Sequence, residues 1–255
     1  MATAIIGDVH GCLNELGSLV KKIKTRNLEE IIFVGDLMDK GPDTVGVLEY
    51  VRELEKEIKV TVVKGNHEYR HFRFWNHMEN GYTDKAMSMR EPDELLSMMK
   101  SIDRDLRCWL LKKTIPYVVR PEINAVVVHG GLTKKITELP EDHRKLQGKN
   151  KKRVERNLFI RFVNDDGDMI RLGENNPGDI FWADVYDGRF GHIFFGHQAW
   201  LQGEPKHFGH ATGIDLGCVY GGDLCAAIVE ENKVEFVTVH ADKNHWKESA
   251  EITPS

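Results

Sequence analysis

Five short, mostly β-branched runs in this chain each end in glycine beside aspartate, asparagine or histidine. Gly7-Asp8-Val9-His10-Gly11 follows Ala4–Ile6, and Gly35-Asp36-Leu37-Met38-Asp39-Lys40-Gly41-Pro42 follows Ile31–Val34. Gly65-Asn66-His67-Glu68 follows Val60–Val63, His129-Gly130-Gly131 follows Ala125–Val128, and Gly196-His197-Gln198 follows Ile193–Phe195. In open α/β sheets, ligands bind in the crevice outside the carboxyl ends of the strands. The pattern therefore predicts that side chains far apart in sequence converge on one site. The runs are near-continuously apolar rather than alternating, which predicts strands buried on both faces. Between them, Leu13, Leu16, Val20 and Ile23, and later Val47, Val51, Leu54 and Ile58, recur at spacings of three and four, as amphipathic helices do. That alternation is the signature of an α/β fold.

The rest of the chain is quieter. Tyr69 to Leu111 is rich in methionine and aromatic residues and reads as an inserted helical segment (69–111) packed against the sheet. Lys149 to Arg153 is the one concentrated basic run and reads as a solvated helix face. Ala211–Asp215, Cys225–Val229 and Val234–Val239 read as strands of a second layer. One catalytic domain over 1–240 is expected, with 241–255 as a polar tail. Thirty-five basic against 40 acidic residues give a net charge of −5, which excludes a polycation and non-specific nucleic-acid binding. No apolar run approaches the roughly 20 residues of a membrane span. With no leader-like segment before Ala4, the cytoplasm is the expected compartment. Cys12, Cys108, Cys218 and Cys225 lack CxxC spacing and read as reduced thiols.

Taken singly, Asp8 or Asp36 could cap a helix, His129 could be a packed core histidine, and Asn66 could sit in a left-handed turn. Five such blocks at successive strand ends point instead to a pair of divalent ions. Asp8 and His10 are separated by one residue and can share a metal, with Asp36 as the best candidate to bridge two. Asn66, His129 and His197 would complete the second ion. Oxygen and imidazole ligands without thiolate suit manganese, iron or zinc in a reactive role rather than a structural zinc.

In this order, the five blocks resemble the metallophosphoesterases of the phosphoprotein-phosphatase superfamily. The block Ala211-Thr212-Gly213-Ile214-Asp215-Leu216-Gly217-Cys218-Val219-Tyr220-Gly221-Gly222 resembles more narrowly the bacterial diadenosine tetraphosphatases and the ApaH-like phosphatases. The resemblance implies a calcineurin-like α/β sandwich flanked by helices. It also implies two divalent ions, manganese first, with iron, zinc, cobalt or nickel as alternatives. Asp8, His10 and Asp36 would hold one ion, and Asp36, Asn66, His129 and His197 the other. His67, oriented by Asp39, would protonate the leaving oxygen, and a metal-bridging hydroxide would attack phosphorus directly. Lys40, Asn66, Arg161 and Tyr220 would contact substrate phosphate, with Arg171 and Arg189 in the same region as Arg161. Lys40 stands where relatives usually carry arginine, a point charge in place of a bidentate fork. Glu68 and Gly130-Gly131 lean towards protein phosphatases, whereas Lys40 and the Gly217–Gly222 block lean towards dinucleotide hydrolases. Phosphomonoesters, including Ser/Thr phosphoprotein, rank first as substrates. Diadenosine tetraphosphate, other dinucleoside polyphosphates and polyphosphate rank close behind. A non-catalytic, metal-dependent binder of phosphorylated partners ranks last, because it would not need the His67/Asp39 pair.

Overall fold

The structure, a computed structural model, describes residues 2–231 and 233–246; the last part of the expected polar tail lies outside the described residues. The first half of the chain alternates as its periodicity predicts: β1 (Ala2–Ile6), α1 (Leu13–Ile23), β2 (Leu28–Phe33), α2 (Thr44–Leu54) and β3 (Lys59–Val63). Four helices come next, α3 (Asn66–Glu79), α4 (Thr83–Met87), α5 (Pro92–Ser101) and α6 (Arg104–Lys113). The short strands β4 (Thr114–Ile115) and β5 (Val118–Arg120) then lead to β6 (Ala125–Val127) and α7 (Gly148–Arg156). The remainder comprises β7 (Phe162–Val163), β8 (Ile180–Phe181), β9 (His192–Phe195), β10 (Lys206–His207), β11 (Ala211–Gly213), β12 (Asp215–Leu216), β13 (Asp223–Glu230) and β14 (Lys233–His240).

Among the described residues, these strands form a seven-stranded sheet, a five-stranded sheet and a separate β7–β8 pair. The first sheet runs β12-β13-β1-β2-β3-β4, with β14 outside β13; the second runs β10-β11-β9-β6-β5. β1, β2, β3 and β4 are mutually parallel, as are β6, β9 and β11, so the glycine-rich blocks that follow β1, β2 and β3 lie at one end of the first sheet and those that follow β6 and β9 at one end of the second. Side chains alternate along each strand, so every parallel strand faces two cores. Ile5, Ile32 and Val63 of the first sheet meet Val127 and Phe194 of the second between the layers. Ala4, Ile6, Ile31, Phe33 and Val62 point the other way, onto α1, α2 and the helical segment. The second sheet's outer face packs Val126, Ile193 and Phe195 against Trp182, Val154 and Ile160.

One expectation needs correction. The late strands do not form the second layer together. β13 pairs antiparallel with β1, and β14 with β13, so both extend the first sheet; only β11 joins the second. Period-two apolarity shows that a strand is buried but does not name its hydrogen-bonding neighbour. β4, β5, β7, β8 and β10, each of two or three residues, carry too little pattern to be legible beforehand.

Candidate active site

The five blocks meet where the two sheets' strand ends abut. Asp8, His10 and Asp36 come from the loops after β1 and β2, Asn66 opens α3 after β3, and His129 and His197 follow β6 and β9. Asp36 is central. Its Oδ2 lies 3.6 Å from His10 Nε2 and 3.4 Å from His129 Nε2. Asn66 Oδ1 lies 2.9 Å from His129 Nε2 and 2.7 Å from His197 Nδ1. His10 Nδ1 donates to the Met38 carbonyl at 2.8 Å, and His129 Nδ1 to that of Val34 at 3.1 Å. Each of these rings is thereby turned so that its Nε2 faces the carboxylate.

The backbone is bent to make this possible. His10, Asp36, Asp39, Lys40 and His197 all have φ between +45° and +70°. Non-glycine residues in that left-handed region cost of order 1–3 kcal/mol each and persist only where their surroundings enforce them. Two glycines do part of the enforcing. A Cβ at Gly196 would overlap the Asp8 carboxylate, and one at Gly65 would overlap the backbone and carboxylate of Asp36. Glu68 is a brace. Fully buried, it accepts from the Gly65 and Asp36 amides through Oε2, at 2.9 and 2.8 Å, and from the Leu37 amide through Oε1 at 2.8 Å. Read in the sequence as a sign of substrate class, its carboxylate is occupied with backbone.

The electrostatics match a cation-binding cleft. Burial, then the neighbouring Asp215, pushes the Asp8 carboxyl well above the ordinary range. Burial also opposes the Asp36 charge, but His129, His67 and His10 outweigh it and hold that carboxyl well below the ordinary range. Burial, with Lys40 or Arg161 nearby, pushes His10 and His197 well below the usual imidazole value and leaves them neutral lone-pair donors. His129 goes the other way. Against the cost of burial, the Asp36, Asp8 and Glu68 carboxylates raise it to about 9. Asp8 Oδ1 and His197 Nε2 are buried without any hydrogen-bond partner, an expensive condition for a polar atom unless something else satisfies it. Of three groups among the described residues whose ligand atoms gather tightly enough to hold an ion, two lie in this cleft, His10/Asp36/His67 and Asp36/His129/His197, and they share Asp36. Oxygen and neutral imidazole donors with two orphaned atoms suit hard or borderline divalent metals.

Beside this cleft, His67 Nδ1 donates to Asp39 Oδ2 at 2.7 Å, and its amide donates to Asp36 Oδ1 at 3.0 Å. The other Asp39 oxygen accepts from His71 Nε2, also at 2.7 Å. Burial opposes the Asp39 charge, but these two hydrogen bonds overcome it and hold the carboxyl below the ordinary range. Lys40 Nζ sits 3.0 Å from His10 Nε2 and 5.2 Å from the centroid of the Tyr220 ring. Tyr220 thus belongs to the cleft's margin. Arg161 Nε donates to Gln198 Oε1 at 2.8 Å, and its Nη2 to the His197 carbonyl at 3.3 Å. The two rival arginines are elsewhere. Arg171 is exposed near Glu174, and Arg189 is paired with Asp187 on the surface.

Three participants escaped the sequence reading. His71, inside the expected helical insertion, is 1% exposed and completes the hold on Asp39. Its spacing of four from His67 on one helix was the available signal. Asp215 is buried at the start of β12, accepts from the Gly217 amide at 3.0 Å, and faces Asp8, Asp36 and Lys40. Gln198, already within the fifth block, orients Arg161.

The sequence signature of the calcineurin-like phosphoesterases matches residues 1–240. A bis(5'-nucleosyl)-tetraphosphatase PrpE of the asymmetrical type from Oceanobacillus iheyensis is 32% identical over 94% of this chain and 92% of its own. A symmetrical bis(5'-nucleosyl)-tetraphosphatase from Pseudomonas putida is 27% identical over 88% of each chain. Among solved structures, one described as a proposed diadenosine tetraphosphatase superposes with a TM-score of 0.71 at 24% identity, covering 94% of this chain and 93% of its own.

Proposed function

We infer the substrate from a fixed premise: the chain belongs to the calcineurin-like phosphoesterase family and is a metal-dependent phosphohydrolase. The proposed substrate is a dinucleoside polyphosphate such as diadenosine tetraphosphate, cut asymmetrically. What carries this reading is the 32% identity to the asymmetrical enzyme over nearly the whole of both chains, joined to a cleft in which two candidate ligand groups, His10/Asp36/His67 and Asp36/His129/His197, share Asp36. The sequence ranks phosphomonoesters first; that order is reversed by the relatives.

Asp8, His10 and Asp36 would hold one divalent ion, and Asp36, Asn66, His129 and His197 a second. Such ions supply Lewis acidity to phosphoryl oxygens and make water a competent nucleophile near neutral pH. The protein's own groups do the rest. Asp39 accepts a hydrogen bond from His67 Nδ1, which fixes the ring and leaves Nε2 to give a proton to the departing phosphate oxygen. Lys40 and Arg161 bring positive charge to the margin where charge builds on phosphorus's oxygens. Burial opposes the Lys40 charge, but Tyr220, Asp36 and Asp215 hold its ammonium above the ordinary lysine value, so it stays cationic.

With manganese present, diadenosine tetraphosphate should yield ATP and AMP in equal amounts by chromatography. ADP as the only nucleotide product would move the enzyme to the symmetrical type. Faster turnover of a phosphopeptide than of the dinucleotide would overturn the substrate reading.

A further inference from the structure

We propose that Tyr69 and Phe159 form a purine-stacking platform at the rim of the cleft, which takes one base of the substrate; this rests on the dinucleotide reading above. Tyr69 stands in the first turn of α3, three residues past Asn66 and so on the same helix face, about 4.5 Å along the axis. Phe159 stands two residues before Arg161. Their rings meet edge to face, with centroids 5.8 Å apart and planes at 79°. The contact bridges the cleft's two walls, because α3 continues from β3 of the first sheet whereas Phe159 follows α7 on the flank of the second. The second wall is held close to the metal ligands. A Cβ at Gly130, next to His129, would overlap the Asn157 and Leu158 carbonyls.

The exposure of the pair is selective. Leu158 and Ile160 are 4% and 1% exposed, while Phe159 between them is 40% exposed. A phenyl ring left open in a buried stretch, beside residues that face phosphate, matches the flat apolar face of a nucleobase. Arg73 lies 5.6 Å from the Tyr69 centroid and adds positive charge on the same side. The unbalanced lysines of α7, which leads directly into Phe159, give that flank a positive field for a polyphosphate bridge. Base–aromatic stacking is sequence-tolerant and is commonly lost by roughly tenfold or more in affinity on substitution by alanine.

The test uses the full-length, manganese-loaded enzyme hydrolysing p-nitrophenyl phosphate, with ATP and inorganic tripolyphosphate as competing inhibitors at equal free metal. The wild type should bind ATP more tightly than tripolyphosphate. Phe159→Ala should raise the ATP inhibition constant about tenfold and remove that preference, while Phe159→Trp keeps it and Phe159→Leu does not. Tyr69→Ala, on the opposite wall, should show the same base-selective loss, which guards against a folding defect in one variant. Equal shifts for ATP and tripolyphosphate, or rescue by leucine, would overturn the platform. If the wild type leaves diadenosine tetraphosphate intact yet keeps a Phe159-dependent preference for ATP, the substrate reading falls and the platform stands. Cleavage of the dinucleotide without that preference gives the converse.

Discussion

Asp39 shows how a single carboxylate is specified by what it touches. Both of its oxygens receive imidazole N–H groups, from His67 and His71. Replacing His67 with asparagine should lower kcat by about 10²–10⁴-fold, the usual contribution of a positioned general acid. Bound manganese, measured by elemental analysis, should fall much less than in Asp36→Asn. His71→Asn should act more mildly and in a diagnostic way. Without that second hydrogen bond the Asp39 charge is less stabilised, so its pKa rises. The acid limb of the kcat pH profile should then move to higher pH, and an unmoved limb would remove His71 from the chain of positioning. His67 was legible in the sequence because it sits inside a block; His71 was not, since one histidine on an amphipathic helix reads as packing until its neighbour is known.

At the scale of elements, β1, β2 and β3 were legible because their apolar runs are buried on both sides, and α1 and α2 because each buries one stripe of side chains. β13 and β14 were visible as strands but assigned to the wrong sheet. Only tertiary contact makes β1 the partner of β13. The strand-to-loop junctions are the demanding part. Their left-handed residues and close-packed glycines predict that Gly196→Ala pushes the Asp8 carboxylate out of place. Thermal melting of the metal-free variant should change less than its manganese affinity, measured by calorimetry. A large loss of folding stability with normal metal affinity would contradict this.

For the whole molecule, proton and metal compete for one cleft. His129 is raised to about 9 in the metal-free protein by the carboxylates around it. Its folded value thus exceeds the unfolded one near 6.5, and its stabilising contribution is complete below about 6.5 and disappears as pH climbs through about 9. A metal must displace that proton. Manganese affinity should therefore increase by about tenfold per pH unit between roughly 7 and 9, with protons released into weakly buffered solution. Flat affinity across that interval would exclude His129 as a ligand. Saturation at 100 times Kd should add about 2.7 kcal/mol to stability, seen as a higher Tm that a chelator reverses.

The candidate ligands are divided between the two sheets: Asp8, His10, Asp36 and Asn66 on one side, His129 and His197 on the other. The set proposed for the second ion, Asp36 and Asn66 with His129 and His197, draws on both layers, so that ion would work as a rivet through the seam of the sandwich. Hydrogen exchange should then slow on both sheets at once when metal is added, in strands remote from the cleft as well as in its loops. The reagent for the chemistry would also set how often the two halves of the molecule part.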